Sequence, residues 1–254
     1  MPVIEVLGRR IEVAWFGEPS SAPAIVMLHE GLGSVALWRD FPSRLAQAAG
    51  RRVLAYSRYG YGKSDPLRDK REPSFMHTEA LEALPELLRQ LEIERPVLFG
   101  HSDGGSIALI HAGAARWPVT GVVVLAPHVF VEEFSLAAIR QARIAYETAD
   151  LRDRLSRYHD DPDSAFRGWN DVWLDLRFRS WNIETYLPTM ACPLLAIQGE
   201  GDEYGTMAQI DRIGAQCPTA RLLKLRDCGH SPYRDQPEAV LAATAAFVAT
   251  LPDP

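Results

Sequence analysis

The sequence is poor in the features that mark secreted, membrane-spanning or nucleic-acid-binding proteins. Its cysteines, Cys192, Cys217 and Cys228, form an odd and scattered set without metal-ligand spacing, which predicts reduced thiols rather than a metal site. No apolar run approaches the ~20 residues that a membrane helix needs. No basic segment leads into an apolar stretch at the amino terminus, as a secretory signal requires. The formal net charge of −6 gives no basic footprint for nucleic acid or an anionic membrane.

These absences set the first expectations about location, cofactors and partners. We expect a cytoplasmic protein with no cofactor and no metal, whose partner is a small-molecule substrate rather than nucleic acid or a membrane. The sequence leaves a homodimer open. With 254 residues, of which 47% are hydrophobic and 24% charged, the chain is long enough for one large domain with a substantial core.

Short apolar runs recur along the chain, and stretches with helical spacing separate most of them. The runs predict eight strands, at residues 3–7, 11–16, 24–28, 53–56, 97–99, 121–126, 194–197 and 222–225. The apolar spacing predicts helices at residues 37–49, 81–91 (with a kink at Pro85), 107–115 and 240–251. This alternation predicts an α/β fold: an eight-stranded, mostly parallel sheet with helices on both faces and an antiparallel opening hairpin.

One segment breaks the alternation. Residues 128–188 contain helix-like stretches rich in Arg, Asp and aromatic side chains, with no convincing strand. We therefore predict a helical cap at residues 128–188, inserted between strands six and seven. The core domain would then comprise residues 1–127 and 189–254.

The strongest chemical signal is the stretch Gly100-His101-Ser102-Asp103-Gly104-Gly105. It follows a predicted strand and precedes a predicted helix, which is the context of a Gly-x-Ser-x-Gly nucleophile elbow. The glycines leave room for a sharp turn that lifts the serine hydroxyl clear of the sheet. The helix that follows favours developing negative charge at its N-terminus. Ser102 is therefore the candidate nucleophile.

A serine nucleophile needs a base that a third group orients. Asp202 and His230 each follow a predicted strand, so both lie at the same sheet edge as the serine. We assign His230 as general base and Asp202 as the acid, with Glu203 as second choice. Two further acids, Glu200 and Asp227, compete for the same role and are more commonly solvated loop charges.

From residue 24 to residue 251 the chain resembles the capped α/β-hydrolase superfamily, nearest in style to small bacterial carboxylesterases. The matching stretches are LHEGLGS at 28–34, YGYGKS at 59–64, the serine elbow, GEGD at 199–202 and GHSP at 229–232. The resemblance implies a serine esterase in which the backbone N–H groups of Gly31 and Asp103 form the oxyanion hole. Losing one such donor costs ~3 kcal/mol of transition-state stabilisation.

The chain departs from the family pattern in the loop that would hold the oxyanion. The family has His-Gly where this chain has His29-Glu30, and Ser57 and Tyr59 replace an Asp and an Arg. Glu30 could face the pocket or tie down a nearby arginine such as Arg58, and the tie is favoured because an unpaired buried carboxylate is costly. His29, Glu30 and His101 are candidate pocket residues, although His101 is expected to point away from the hydroxyl.

Aromatic residues of the predicted cap suggest a second set of pocket residues. Trp169, Trp173 and Leu176 share one helix face, which either packs the cap onto the core or, together with Trp181, walls an apolar or aromatic acyl pocket. The cap residues Arg167, Arg177 and Arg179 could meet a substrate carboxylate or phosphate. Pairing with Asp171 and Asp175 is the favoured alternative for these arginines.

These residues predict a serine hydrolase that cleaves a carboxylic ester of a small apolar or aromatic molecule through an acyl-enzyme. The same triad supports hydrolysis of a thioester, a lactone or a carbon–carbon bond next to a ketone. Epoxide hydrolases and dehalogenases are disfavoured, since they carry Asp where Ser102 stands. A non-catalytic ligand receptor needs only the pocket, so the complete set of Ser102, Asp202 and His230 counts against it.

Overall fold

A single mixed sheet organises the chain in the computed structural model, which describes residues 2–252. Its eight strands lie in the order β1-β2-β4-β3-β5-β6-β7-β8. The strands are β1 Val3–Val6, β2 Arg9–Phe16, β3 Ile25–Leu28, β4 Val53–Tyr56, β5 Val97–His101, β6 Gly121–Leu125, β7 Leu194–Gly199 and β8 Ala220–Leu225. β2 pairs antiparallel with both β1 and β4, and the other five pairings are parallel. The predicted eight-stranded, mostly parallel sheet is confirmed.

Ten α-helices connect and flank the strands within residues 2–252. They are α1 Phe41–Ala49, α2 Phe75–Thr78, α3 Leu84–Gln90, α4 Asp103–Ala114, α5 Glu133–Thr148, α6 Leu151–Leu155, α7 Pro162–Leu174, α8 Ala208–Gln216, α9 Pro232–Asp235 and α10 Pro237–Val248. A π-helical turn at Glu79–Ala83 joins α2 to α3 just before Pro85, so the expected disturbance at this proline falls one turn earlier. None of the helices in this described part combines the length and apolarity needed to cross a bilayer.

The two faces of the sheet carry separate apolar cores, as the alternation of side chains along a strand requires. On β3, Ile25 and Met27 point into a core that is closed by α1 and α10 and includes Trp38 and Phe41. Val26 and Leu28 point the opposite way, into a larger core covered by α3, α4 and α8. Helices therefore cover both faces, and the sheet edge between them is left to carry the functional loops.

The chain between β6 and β7 is helical. It contains α5, α6 and α7, followed by two short 3₁₀ helices at Leu176–Ser180 and Glu184–Tyr186. A single isolated bridge, between Phe130 and Asn182, is the only extended pairing in the described residues 128–188. We call residues 128–188 the inserted segment. Its buried aromatic side chains belong to the same apolar core as α3 and α4, so the segment packs directly onto the sheet domain.

Candidate active site

Ser102 lies in the turn between β5 and α4, at the carboxyl edge of the sheet. Its backbone has φ 52° and ψ −119°, in a region that a serine rarely adopts. The turn is tight: a Cβ atom on Gly104 would lie 2.1 Å from the carbonyl oxygen of Leu28 on the neighbouring β3. This strained strand–turn–helix arrangement presents a serine hydroxyl above the sheet.

Three distant parts of the chain meet at this turn. The Ser102 hydroxyl lies 2.9 Å from Nε2 of His230, and Nδ1 of His230 lies 2.8 Å from Oδ1 of Asp202. His230 follows β8 and Asp202 follows β7, so both reach the serine from the same sheet edge. An imidazole in this position can take the hydroxyl proton on Nε2 while its Nδ1–H donates to the carboxylate.

The surroundings of Asp202 keep its carboxylate ionised, as this chain of hydrogen bonds requires. The side chain is 7% exposed, and its Oδ1 also accepts the backbone N–H groups of Tyr204 at 2.8 Å and Gly205 at 3.1 Å. Burial acts to raise the pKa of Asp202, but the hydrogen bond and charge of His230 and the Tyr204 N–H outweigh it, so the pKa is lowered. The carboxylate therefore stays ionised at neutral pH.

The competing acids occupy other places. Glu203, the second choice from the sequence, accepts the backbone N–H of His230 at 3.0 Å and so supports the loop rather than the ring. Glu200 and Asp227 are exposed, and neither makes a contact with the His230 ring within the described chain. Of the four acids considered, Asp202 alone contacts the imidazole.

Gly31 and Asp103, whose backbone N–H groups are assigned to the oxyanion hole, border the cavity that contains Ser102. Asp103 is the first residue of α4, and the N–H groups of a helix's first turn have no acceptor within the helix. Gly31 lies in the loop after β3, where an added Cβ atom would lie 2.2 Å from the indole of Trp169. The loop can therefore approach the inserted segment only with glycine at this position.

His29 does not border the cavity, contrary to the prediction that it is a pocket residue. Its ring instead links the loop after β3 to the backbone that follows β4. It is fully buried. Its Nδ1–H donates to the Glu30 carbonyl oxygen at 2.6 Å, and its Nε2 accepts the backbone N–H of Arg58 at 3.0 Å. Burial and the nearby Arg58 charge lower the pKa of His29 well below its ordinary value, so the ring is neutral, as these two hydrogen bonds require.

Glu30 faces the cavity and contacts His101, not Arg58. Its Oε2 lies 3.4 Å from Nδ1 of His101, and the side chain is 16% exposed. Arg58 instead donates to the backbone carbonyl oxygens of His29 at 3.3 Å and Glu30 at 2.9 Å, so the predicted tie exists only through the main chain. Burial acts to raise the pKa of Glu30, but its interaction with His101 prevails and lowers the pKa to about 2.

His101 connects this carboxylate to the loop that carries His230. Its Nε2 lies 2.7 Å from the carbonyl oxygen of His230, while its Nδ1 faces Glu30. Both neighbours are acceptors, so the ring donates to each of them only when it carries both protons. As predicted, His101 turns away from the serine hydroxyl, yet it borders the same cavity.

The cavity above Ser102 has a volume of about 610 Å³ and is closed on one side by the inserted segment. Its apolar lining includes Leu32, Leu37, Ile139, Leu155, Trp169 and Trp173. Trp173 also donates its indole N–H to Oδ1 of Asp103 at 3.1 Å, which fixes this wall against the start of α4. Burial raises the pKa of Asp103, although the Arg58 charge and the Trp173 hydrogen bond act in the opposite direction.

Trp181 does not border the cavity, contrary to the prediction. It stacks on Phe178 with ring centroids 5.3 Å apart and lies behind Trp173 at 6.3 Å. The helix α7 ends at Leu174, so Trp181 follows a separate 3₁₀ turn and faces the core rather than the serine.

Two cavity residues next to the His230 ring were missed in the sequence. His128 follows β6 and is 3% exposed, with its ring 5.8 Å from that of His230, and Tyr204 places its ring 4.9 Å from His230. Burial, followed by the neighbouring His230 charge, lowers the pKa of His128 to about 3, so this ring is neutral. Position after a parallel strand, the signal used for Asp202, also applies to His128.

The arginines singled out in the inserted segment do not border the cavity. Arg177 pairs with Asp175 at 2.7 Å, as the favoured alternative predicts, and Arg179 pairs with Glu133 at 3.6 Å. Asp171 binds Arg143 instead, at 2.7 Å. Arg167 is exposed and lines a separate groove beside α7.

The sheet order, the strained serine turn and the Ser102–His230–Asp202 arrangement are those of the α/β-hydrolase class. A model of the Alpha/beta hydrolase family matches residues 25–243. The chain therefore belongs to this family, and the resemblance seen in the sequence is confirmed at the level of the superfamily.

The known proteins that are similar to this chain are named for different hydrolytic reactions. A proline iminopeptidase of Lactobacillus helveticus is 37% identical over 97 residues, which cover 37% of this chain and only 32% of that relative. The chain thus matches about a third of the length of this peptidase. A 2-hydroxy-6-oxononadienedioate/2-hydroxy-6-oxononatrienedioate hydrolase of Cupriavidus pinatubonensis is 26% identical over 240 residues, covering 83% of this chain and 81% of the relative.

Solved structures extend the likeness over the whole fold. The crystal structure of VinJ superposes with a TM-score of 0.80 at 22% identity, covering 99% of this chain and 98% of VinJ. At this identity the likeness concerns the fold alone. The hydrolase family is established, and the bond that is cleaved has to be argued from the site.

Proposed function

We propose that this protein hydrolyses a carboxylic ester of a small molecule through an acyl-enzyme on Ser102. One observation carries the proposal: the Ser102 hydroxyl, the His230 ring and the Asp202 carboxylate form a continuous chain, at 2.9 Å and 2.8 Å, in the wall of a cavity. A structural serine has no need of a strained backbone, a base and an oriented acid together.

The reaction follows from these contacts in two halves. Ser102 Oγ attacks the ester carbonyl carbon while His230 Nε2 takes the hydroxyl proton, and the Asp202 carboxylate stabilises the imidazolium that forms. The N–H groups of Gly31 and Asp103 bind the oxygen that becomes negative. His230 then returns the proton to the departing alkoxide. A water molecule repeats the sequence on the acyl-enzyme and releases the carboxylic acid.

The shape of the cavity supports a small substrate with an apolar or aromatic part. A volume of about 610 Å³ is within the range of small-molecule sites. Trp169 and Trp173 supply flat apolar walls next to Gly31 and Asp103, so an acyl group held against them would present its carbonyl to the serine. These positions support a role for Trp169 and Trp173 as walls of an acyl pocket, in addition to their role in packing the inserted segment onto the sheet domain.

The same arrangement is able to cleave related bonds, which a substrate panel separates. A thioester, a lactone and a ketone-activated carbon–carbon bond each pass through attack by an activated serine or water. The long alignment with the Cupriavidus hydrolase supports including a carbon–carbon substrate, and the Lactobacillus relative supports including a prolyl amide. We expect the highest kcat/KM in the panel for the oxygen ester.

Turnover of 4-nitrophenyl esters by the wild-type protein and Ser102→Ala tests the proposal. We expect Ser102→Ala to lose activity by about 10⁶-fold, since other serine hydrolases lose this much with their nucleophile. Unchanged turnover in Ser102→Ala would contradict the assignment of the nucleophile. A wild-type protein that binds but never hydrolyses any panel member would support a ligand receptor instead.

A further inference from the structure

Four arginines border the cavity at its open side. They are Arg39, Arg154, Arg157 and Arg234, and all four are exposed, whereas Ser102 is 6% exposed at the inner end. They come from three separate places in the fold: the loop before α1, the region of α6 and the helix α9. The mouth of the cavity is therefore cationic on more than one side, although the whole chain has a formal charge of −6.

Most of these arginines have no protein carboxylate as a partner. Arg154 pairs with Asp150 at 3.5 Å. Within residues 2–252, Arg39, Arg157 and Arg234 make no ion pair, in contrast to arginines such as Arg177 and Arg212 elsewhere on the surface.

The acids next to two of these arginines in sequence are engaged elsewhere. Asp40 contacts Arg44 at 4.0 Å, and Asp235 accepts the backbone N–H of Gly229 at 2.8 Å. Neither acid comes within the 4.0 Å of an ion pair with the guanidinium group of Arg39 or Arg234.

The acids that border the cavity are also bound within the protein. Glu30 contacts His101, Asp103 accepts the Trp173 indole N–H, and Glu203 accepts the backbone N–H of His230. Each acid therefore has a partner within the protein, whereas three of the four arginines at the mouth make no ion pair within residues 2–252. An anion entering the cavity meets free guanidinium donors first and the apolar walls afterwards.

We propose that the substrate carries an anionic group, a carboxylate or a phosphate, which the arginines at the cavity mouth bind while the scissile carbonyl lies at Ser102. This inference rests on the proposed function, since it names the substrate class of the same site. Guanidinium groups suit this role because they bind carboxylate and phosphate oxygens through paired N–H donors. The apolar walls between mouth and serine would hold the uncharged part of the acyl group or of the leaving group.

Two matched substrate pairs distinguish the source of the negative charge. The first pair is mono-4-nitrophenyl adipate and 4-nitrophenyl hexanoate, which differ by a terminal carboxylate. The second pair is S-butyryl-4′-phosphopantetheine and S-butyryl-pantetheine, which differ by one phosphate. We expect kcat/KM to favour the anionic member of at least one pair by about tenfold or more at low ionic strength, as charge-assisted contacts at a partly exposed site allow.

A triple variant, Arg39→Gln/Arg157→Gln/Arg234→Gln, tests whether the mouth produces this preference. We expect the anionic-to-neutral ratio of kcat/KM to fall by about tenfold, back towards unity. The control is Arg68→Gln/Arg116→Gln/Arg167→Gln, which removes the same charge from exposed arginines that do not border the cavity. We expect this control to keep the wild-type ratio.

The salt dependence of the wild-type ratio gives a second measurement that needs no variant. Raising the ionic strength from about 0.05 M to about 0.5 M should reduce the preference several-fold, because the mouth is exposed and its charges are screened.

The possible results separate this inference from the proposed function. Hydrolysis of the neutral esters without any preference for an anion, or an equal loss of preference in both triple variants, overturns the inference and leaves the esterase proposal intact. Absence of turnover with all four substrates and with the 4-nitrophenyl panel overturns both.

Discussion

At the scale of single residues, the site depends on which of two adjacent acids contacts the His230 ring. Asp202 accepts from the ring and from two backbone N–H groups, whereas Glu203 accepts only from the backbone of the same histidine. The first contact orients the base and stabilises its charge, and the second holds the loop. The two carboxylates are therefore expected to differ sharply in their effect on rate.

Replacing each acid by its amide tests this division. Asp202→Asn should lower kcat for a 4-nitrophenyl ester by about 10⁴-fold, because an amide stabilises the wrong tautomer of the imidazole. Glu203→Gln should remain within about tenfold of wild type, since its amide oxygen still accepts the His230 N–H. Comparable losses in both variants, or a larger loss in Glu203→Gln, would contradict the assignment of the acid.

The sequence allowed some of these contacts to be predicted but not others. Order along the chain and position after strands placed Ser102, Asp202 and His230 at one sheet edge. The directions of His29 and Trp181 could not be derived in this way, since they depend on packing between distant segments. Glu30 was expected to bind a nearby arginine, and its partner is His101 because the loop turns the carboxylate towards the serine elbow.

At the scale of elements, the turn from β5 into α4 determines how close the serine lies to the sheet. Gly104 and Gly105 begin the same helix but meet different surroundings. A Cβ atom on Gly104 would lie 2.1 Å from the Leu28 carbonyl oxygen, whereas one on Gly105 would lie 3.1 Å from the nearest atom, the Pro127 Cβ. Backbone atoms of a central strand cannot move aside as a flexible side chain can.

Alanine at each glycine gives a matched pair of variants. Gly104→Ala should lower the free energy of unfolding by about 3 kcal/mol or more, since the helix must shift away from β3. Gly105→Ala should change it by no more than about 1 kcal/mol, because the gain in helix propensity offsets a tight contact. Urea unfolding measures both, and equal stability of the two variants would contradict the close packing of α4 on β3.

The elements themselves were largely predictable, because buried parallel strands read as continuous apolar runs and amphipathic helices as periodic ones. The π-helical turn at Glu79–Ala83, which packs against α4, was not predictable, since a single π-turn has no sequence pattern of its own. The absence of strands from the inserted segment was visible in the sequence. Its exact fit over the serine depends on contacts such as Trp169 with Gly31.

At the scale of the whole molecule, buried neutral histidines couple stability to pH. Burial lowers the pKa of His29, His111, His128 and His159 in the folded protein. Below an ordinary histidine pKa of about 6.5, the unfolded chain therefore binds more protons than the folded one. Stability from this source is complete above that pH and is lost as the pH falls towards the folded values.

His128 offers a direct test of this coupling, since its pKa in the folded protein is about 3. Because this ring stays neutral in the folded protein, the free energy of unfolding of the wild type should fall by about 2 kcal/mol on its account when the pH is lowered from 6.5 to 5. His128→Gln should lose correspondingly less over the same interval. Unfolding in urea at the two pH values measures the difference, and an unaltered pH dependence in His128→Gln would show that the ring is not buried in its neutral form.

The central claim is that Ser102 is a nucleophile activated by His230, and covalent labelling tests it most directly. Incubation with a fluorophosphonate followed by peptide mass mapping should find one adduct, on the peptide that contains Ser102. We expect no adduct in Ser102→Ala and labelling slowed by about 10³-fold or more in His230→Gln, since the hydroxyl then lacks its base. An adduct on another residue, or equal labelling rates in wild type and His230→Gln, would contradict the account.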